Sequence, residues 1–270
     1  MNIVFWSCFR ESTCVTSNML VISAITSFIG AGSRVALVEN HYSPNSILNY
    51  SFGKKDLEKV AEFDCNYNKY GIETLLRRYS NVDDNSKDII QSGVPLFSKV
   101  LVYFPPNYIV NKEVFDYLFH NNSKELYNDL EQKFSYIFTD VESNHNISTP
   151  DMIDKADLIV VNLPQNEQDF QTFFDNYSYL KRKSIFIISK YANGLSFNID
   201  TVRKKYQLDR NQSFIMPYCY ELEEAIYHGK VMHFLTKNYT RPESSNVRYL
   251  VREATKIALR IRSIRHELES

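Results

Sequence analysis

Glycine is scarce in this chain: seven in 270 residues, where usual composition gives about 19. That excludes collagen-like, glycine-repeat and flexible-linker architectures. Cysteine is also sparse. Cys8, Cys14, Cys65 and Cys219 form no C-x-x-C pair and no zinc-binding spacing, so reduced thiols are expected rather than a disulfide framework. Charge of one sign is missing as well, since 31 basic and 32 acidic residues leave a formal net charge of −1. No global pull toward nucleic acid or an acidic membrane follows, and any such attraction must be local. Long apolar runs are absent too. The longest, Met19 to Ala31, is interrupted by Ser23, Thr26 and Ser27 and falls short of the ~20 residues of a membrane span. A signal peptide is not expected there, because the apolar run Ile3-Val4-Phe5-Trp6 precedes it and a second strand-like run follows. Six N-x-S/T triplets occur, as chance provides in so asparagine-rich a chain. The wealth of Asn, Tyr, Phe, Ile and Lys fits an AT-rich genome.

What is present is ordinary for a globular protein: 44% hydrophobic and 23% charged residues. Short apolar runs recur at Ile3–Trp6, Arg34–Val38, Val100–Phe104, Tyr136–Thr139, Leu158–Val161, Ile185–Ser189 and Phe214–Met216. Each is apolar on both faces, as a doubly covered strand requires. Helical patterns lie between them. Thr16–Ile29 is apolar on nearly all sides and predicts a buried helix, while Gly71–Tyr79, Lys112–Phe119, Lys124–Phe134, Gln168–Tyr179 and Glu221–Tyr227 are amphipathic. The alternation implies a single α/β domain over 1–270, with a mostly parallel sheet and helices on both faces. Residues 43–95 are polar, acidic and irregular, and read as an insertion over one sheet edge. Residues 245–268 form the sharpest pattern: Val247, Leu250, Val251, Ala254, Ile257, Ala258, Ile261, Ile264 and Leu268 make one apolar stripe. Arg248, Arg252, Lys256 and Arg260 lie on its other faces. A terminal helix packed on the sheet with a solvated basic face is the plain reading; an anion-, lipid-, DNA- or partner-binding surface is the alternative.

Chemistry is expected at the first turn after a parallel strand, where a buried helix begins. A working phosphate loop uses glycines to close backbone N–H groups around phosphates, a lysine to reach them, and a hydroxyl for Mg²⁺. The loop here, residues 7–18, has the length and place but neither glycine nor lysine. Elsewhere there is no H-E-x-x-H, and His228 and His233 lie off one helical face. No metal cofactor is expected from the histidines. No G-x-S-x-G elbow, Cys–His pair or interleaved basic–aromatic motif occurs.

Thr16-Ser17-Asn18 opening a buried helix, Phe134 to Asp140 as a strand ending in aspartate, and Ala156 to Asn166 as the next strand and its exit loop carry a resemblance. So does Pro217-Tyr218 followed by Ala225 and Gly229. In that order they resemble the MinD/ParA group of deviant Walker A ATPases over nearly the whole chain. The resemblance implies an ATP or ADP site with Mg²⁺, formed by Arg10, Ser12, Thr13, Thr16, Ser17, Asp140, Asn162, Pro217 and Tyr218, with Thr16 and Asp140 at the metal. Carried over residue by residue, Arg10 stands for the signature lysine, and Glu11, Ser12 and Cys14 for the three glycines. Val15 stands for the main phosphate lysine, and Glu39 and His41 stand near the family's aspartates. A carboxylate such as Glu11 at ~4 Å from a phosphate costs about 4 kcal/mol at an effective dielectric of ~20. Efficient hydrolysis is therefore not expected, and no catalytic residue is assigned.

Within the group, the atypical loop and short chain resemble the TadZ/CpaE branch, linked to pilus and secretion-machine assembly in bacteria. The resemblance implies a cytoplasmic scaffold or positioning protein, peripheral to the inner face of the membrane, able to form a homodimer and to bind pilus or secretion proteins. Two alternatives stay open at the level of sequence: an active ATPase cycling on membrane, DNA or a partner, and an adaptor working through the basic helix without nucleotide.

Overall fold

The computed structural model describes residues 1–9, 13–30, 32–41, 46–52, 71–80, 89–97, 100–106, 111–143 and 146–270. Eight strands form one sheet: β1 (Asn2–Trp6), β2 (Val35–Asn40), β3 (Val94–Phe97), β4 (Leu101–Phe104), β5 (Tyr136–Val141), β6 (Leu158–Pro164), β7 (Ser184–Tyr191) and β8 (Ser213–Pro217). Their order is β3-β4-β2-β5-β1-β6-β7-β8. Every pairing is parallel except the antiparallel edge pair β3–β4. The expected mostly parallel α/β sheet is the fold observed.

The helices are α1 (Val15–Ile29), α2 (Ile47–Ser51), α3 (Ile72–Ser80), α4 (Lys112–Lys133), α5 (Ser148–Lys155), α6 (Glu167–Tyr177), α7 (Ile199–Tyr206), α8 (Tyr220–Tyr227), α9 (Val231–Thr240) and α10 (Ser245–Glu269). One core lies between the sheet and α1, α8, α9 and α10; the second lies between the sheet and α3, α4, α5, α6 and α7. Alternate strand residues feed the two cores. Ile3 and Phe5 go to the first, Val4 and Trp6 to the second, as the two-residue period of a strand requires.

Helix α1 is buried from Asn18 through Ser27. Its β-branched and hydroxyl residues are poor helix formers, so burial rather than propensity holds it. Three hydroxyls are satisfied on preceding carbonyls: Ser23 on Leu20 at 3.0 Å, Thr26 on Ile22 at 2.8 Å and Ser27 on Ala24 at 2.6 Å. The helix stops at Gly30, whose N–H still donates to the Thr26 carbonyl.

Several details differ from the sequence reading. The two helices expected over 112–119 and 124–134 are one helix, α4. Asn122 and Ser123, the apparent break, are buried and bond back to the carbonyls of Leu118 at 2.9 Å and His120 at 3.3 Å, so the turn continues through them. Within 43–95, residues 43–45, 53–70 and 81–88 lie outside the described residues. The described part holds α2, α3, a 3₁₀ turn at Ile89–Ser92 and the first half of β3. Helices α5, α7 and α9 have no counterpart in the sequence reading. Helix α5 is capped from a distance: the Asp116 carboxylate of α4 accepts the N–H groups of Ile147 at 2.7 Å and Ser148 at 3.2 Å, and the Ser148 hydroxyl.

Helix α10 buries Val247, Leu250, Val251, Ala254, Ile257, Ala258 and Ile261 against α1 and β8, while Leu268 at its end is exposed. Among the described residues no helix is long and apolar enough to cross a membrane.

Candidate functional site

The chain leaves β1 and enters α1 where the strand order reverses: β5 and β2 lie on one side of β1, and β6 lies on the other. Such a switch point opens a crevice at the carboxyl ends of the strands. Arg10, Glu11 and Ser12, three of the loop positions the resemblance singles out, lie outside the described residues. Cys14, at the place of the third glycine, is described. Its φ is +52° and ψ +33°, the left-handed conformation that glycine adopts freely and that costs an L-residue about 1–2 kcal/mol. Val15 follows as the first helical residue, half-buried and apolar.

The strand period decides what faces α1. Phe138 of β5 belongs to the α1-side core, so Asp140, two residues on, faces the same way. The same count brings Glu39 of β2, Asn162 of β6 and Ser189 of β7 onto that face. Register then aligns them, with Glu39 opposite Asp140 and Phe5 also opposite Asp140.

Two clusters result. In the first, the Thr16 hydroxyl donates to Asp140 Oδ2 at 2.5 Å, and His41 Nε2 lies 3.1 Å from the same oxygen and 3.6 Å from Glu39 Oε1. Glu39 also accepts the Ile47 N–H at 2.8 Å and the Tyr103 hydroxyl. Burial pushes the Glu39 carboxyl up to about 7; His41 opposes this, Asp140 adds to it, and the bonds from Tyr103 and Ile47 oppose it. Burial alone pulls the His41 imidazolium down. The attraction and hydrogen bond of Asp140, then Glu39 and Glu142, outweigh that and raise it to about 9.

In the second cluster the Asn18 amide of α1 donates to Asn162 Oδ1 at 2.8 Å and to Ser189 Oγ at 3.0 Å. Ser189 passes its own proton to the Thr13 carbonyl at 2.7 Å, and Asn162 Nδ2 donates to the Val160 carbonyl at 3.0 Å. All three side chains are buried. This network pins the start of α1 to the ends of β6 and β7.

A cavity of about 480 Å³ lies over the first cluster, and its walls include Thr16, Ser17, His41, Asp140, Lys190 and Glu223. Lys190 also has a left-handed backbone, φ +49°, and its Nζ lies 3.3 Å from Glu223 Oε1. Burial pushes the Cys14 thiol up, against an opposing pull from Lys190, and takes Cys8 and Cys219 up to about 12. None of the three is a poised nucleophile.

Of the residues implied at a nucleotide, Thr13, Thr16, Ser17 and Asp140 come together on the cavity wall. Asn162 does not reach it, being wholly buried under α1. Pro217 ends β8, and the half-exposed Tyr218 lies outside the cavity wall. Sequence reasoning missed Asn18, Ser189, Lys190, Glu223 and the Tyr103 hydroxyl. The strand period was the available signal for Ser189 and for Tyr103, which alternates with Leu101 on the α1 side. On α10, Arg252 and Lys256 both bond the buried Glu253, at 3.0 and 2.9 Å, and Arg260 bonds Glu267 at 2.6 Å. Among the described residues Arg248 alone of the four cations has no ion pair.

The described residues fit a phosphate loop with Mg²⁺ poorly: at the position that the resemblance gives to a lysine stands the apolar Val15, and an imidazole lies 3.1 Å from the carboxylate to which the resemblance gives the ion.

A scan against protein-family models returns no match, and a search of curated proteins returns none either. Solved structures do match. A ParA family ATPase from Chlorobium tepidum TLS superposes with a TM-score of 0.70 at 12% identity, covering 96% of this chain and 98% of that one. A putative plasmid partition protein from Borrelia burgdorferi B31, bound to AMPPNP, gives 0.66 at 14% identity over 97% and 98%. The MinC:MinD cell division complex of Aquifex aeolicus gives 0.66 at 13% identity over 97% and 95%. Such identities speak for architecture alone. Over almost its whole length, this chain has the fold of the ParA/MinD-type P-loop ATPases.

Proposed function

We propose that the protein is a MinD/ParA-type scaffold or positioning protein that works without turning over ATP. The observation that supports this reading is the start of α1. Val15 presents an apolar side chain where a phosphate-binding lysine is needed, and the Thr16 hydroxyl is already given to Asp140. Without the lysine, no charge neutralises a γ-phosphate at this point. The fold would then supply a surface that other proteins read, with nucleotide at most a structural ligand. The resemblance of the atypical loop to the TadZ/CpaE branch supports a cytoplasmic role in assembling a pilus or secretion machine, with homodimerisation as in an ATPase of this fold.

The test is a phosphate-release assay together with thermal unfolding in Mg-ATP and Mg-ADP. No steady release and no shift at millimolar nucleotide are expected. Saturation at 100 Kd would add about 2.7 kcal/mol of stability, which unfolding would reveal. Steady release that Thr16→Ala or Asp140→Ala abolishes would overturn the reading.

A further inference from the structure

Glu39, His41 and Asp140 form the one group of buried metal-ligating side chains found among the described residues. One donor atom from each lies within 4.8 Å of the other two. His41 Nε2 stands 3.1 Å from Asp140 Oδ2 and 3.6 Å from Glu39 Oε1. A tetrahedral ion with ligand bonds of about 2.0–2.1 Å has ligand–ligand edges of about 3.3–3.4 Å. The observed pair of distances brackets that edge.

Two independent observations point to a cation there. The first is charge. Both carboxylates are buried, at 0% and 2% exposure, and no lysine or arginine pairs with either among the described residues. Buried carboxylates without a cationic side chain are held by other polar partners or by a metal ion, and one ion among the three donor atoms reaches both of them. The second is the ring itself. His41 is 6% exposed and its Nδ1 is buried without a partner among the described residues, so among those residues the contacts of its Nε2 with the two acids are what position it. A single proton on Nε2 reaches Asp140 but not Glu39 at 3.6 Å; a metal ion at that point serves both.

The outer contacts also suit ligands held for a metal. Tyr103 and the Ile47 N–H orient Glu39, and Thr16 orients Asp140, as outer-shell partners do at metal centres. The two-residue spacing of Glu39 and His41 turns both toward the α1 side, and register with β5 brings in Asp140.

We infer that Glu39, His41 and Asp140 bind one divalent transition-metal ion of the zinc class, with its fourth position open to the cavity. One nitrogen and two carboxylates suit Zn²⁺ or Co²⁺ over Mg²⁺ and Ca²⁺, which take six or more oxygens. This site revises the expectation that the histidines hold no metal, which rested on spacings within single helices. It does not rest on the function proposed above, since it requires neither nucleotide nor a partner.

The test uses the full chain, stripped with chelator and titrated with Co²⁺ and then Zn²⁺, followed by visible absorption and calorimetry. One equivalent of Co²⁺ with four- or five-coordinate bands, displaced by Zn²⁺, is expected. Zn²⁺ raises the unfolding temperature and Mg²⁺ does not. His41→Gln and Asp140→Asn each lower the affinity about tenfold or more, with circular dichroism confirming the fold. The Cys8→Ser/Cys14→Ser variant keeps the full equivalent. Three results overturn the inference: no saturable Co²⁺ binding to the native chain, undiminished binding in His41→Gln, or loss of binding in the double serine variant. Should His41→Gln not fold, the native spectrum decides, because a thiolate charge-transfer band would place the ion elsewhere.

Discussion

Substituting Asn18 by leucine tests what holds the start of α1 in place. Asn18 is 3% exposed, and its amide donates to Asn162 Oδ1 at 2.8 Å and to Ser189 Oγ at 3.0 Å. Leucine has a similar volume, keeps the helix and removes both donors. Each lost bond is worth about 1 kcal/mol, and Asn162 Oδ1 is left buried without a donor, which costs about 1–3 kcal/mol. Ser189 is spared part of this, since it still donates to the Thr13 carbonyl. Added leucine burial offsets some of the loss, so a net destabilisation of about 2–3 kcal/mol is expected. In a chain of this size that corresponds to a fall of roughly 5–10 °C in the unfolding temperature. Urea unfolding, read by circular dichroism and by the fluorescence of the lone Trp6, gives the number directly. Combining Asn18→Leu with Asn162→Leu removes the orphaned acceptor, and the pair should cost less than the sum of the singles by about 1 kcal/mol or more. Strict additivity, or a neutral Asn18→Leu, would refute the reasoning and leave Asn162 without the structural role assigned to it.

Two further outcomes are expected. Restoring Cys14→Gly and Val15→Lys together should create a thermal shift with Mg-ATP that the native chain lacks, because the pair supplies the relaxed left-handed turn and the missing cation. No shift in the double variant would mean that loop chemistry is not what limits nucleotide binding. Asp116→Ala should lower stability by about 1–3 kcal/mol in urea unfolding, because the N–H groups of Ile147 and Ser148 lose their acceptor at the start of α5. An unchanged midpoint would show that water replaces the carboxylate without cost.

How much of this was legible in the sequence differs from element to element. The interiors of the strands were, because a doubly covered strand is a short apolar run bounded by polar and turn residues. Their ends were not. The apolar pattern of β2 stops at Val38 and the strand runs to Asn40; that of β5 stops at Thr139, the resemblance carries it to Asp140, and the strand runs to Val141; β7 runs on through Lys190 to Tyr191. Polar residues end an apolar pattern whether or not the ladder continues, and here it continues into the residues that build the site. Strand β3 was missed for a related reason. Pro95 argues against a strand, and only an edge position makes it tolerable. The short helices α5 and α7 escaped because their starts depend on caps, Asp116 from another helix in one case and Asn198 in the other.

The sequence alone determined the alternating α/β order, the buried first helix and a turn between them that holds neither glycine nor lysine. Those are properties of composition and local period. Only the tertiary structure decided which polar strand ends meet. Thr16, the Glu39–His41 pair and Asp140 are far apart along the chain and become one cluster because β2 pairs with β5 at the register that sets Glu39 opposite Asp140, under the first turn of α1. A strand's period fixes which way each side chain points; register is a contact between distant segments, and no local pattern contains it.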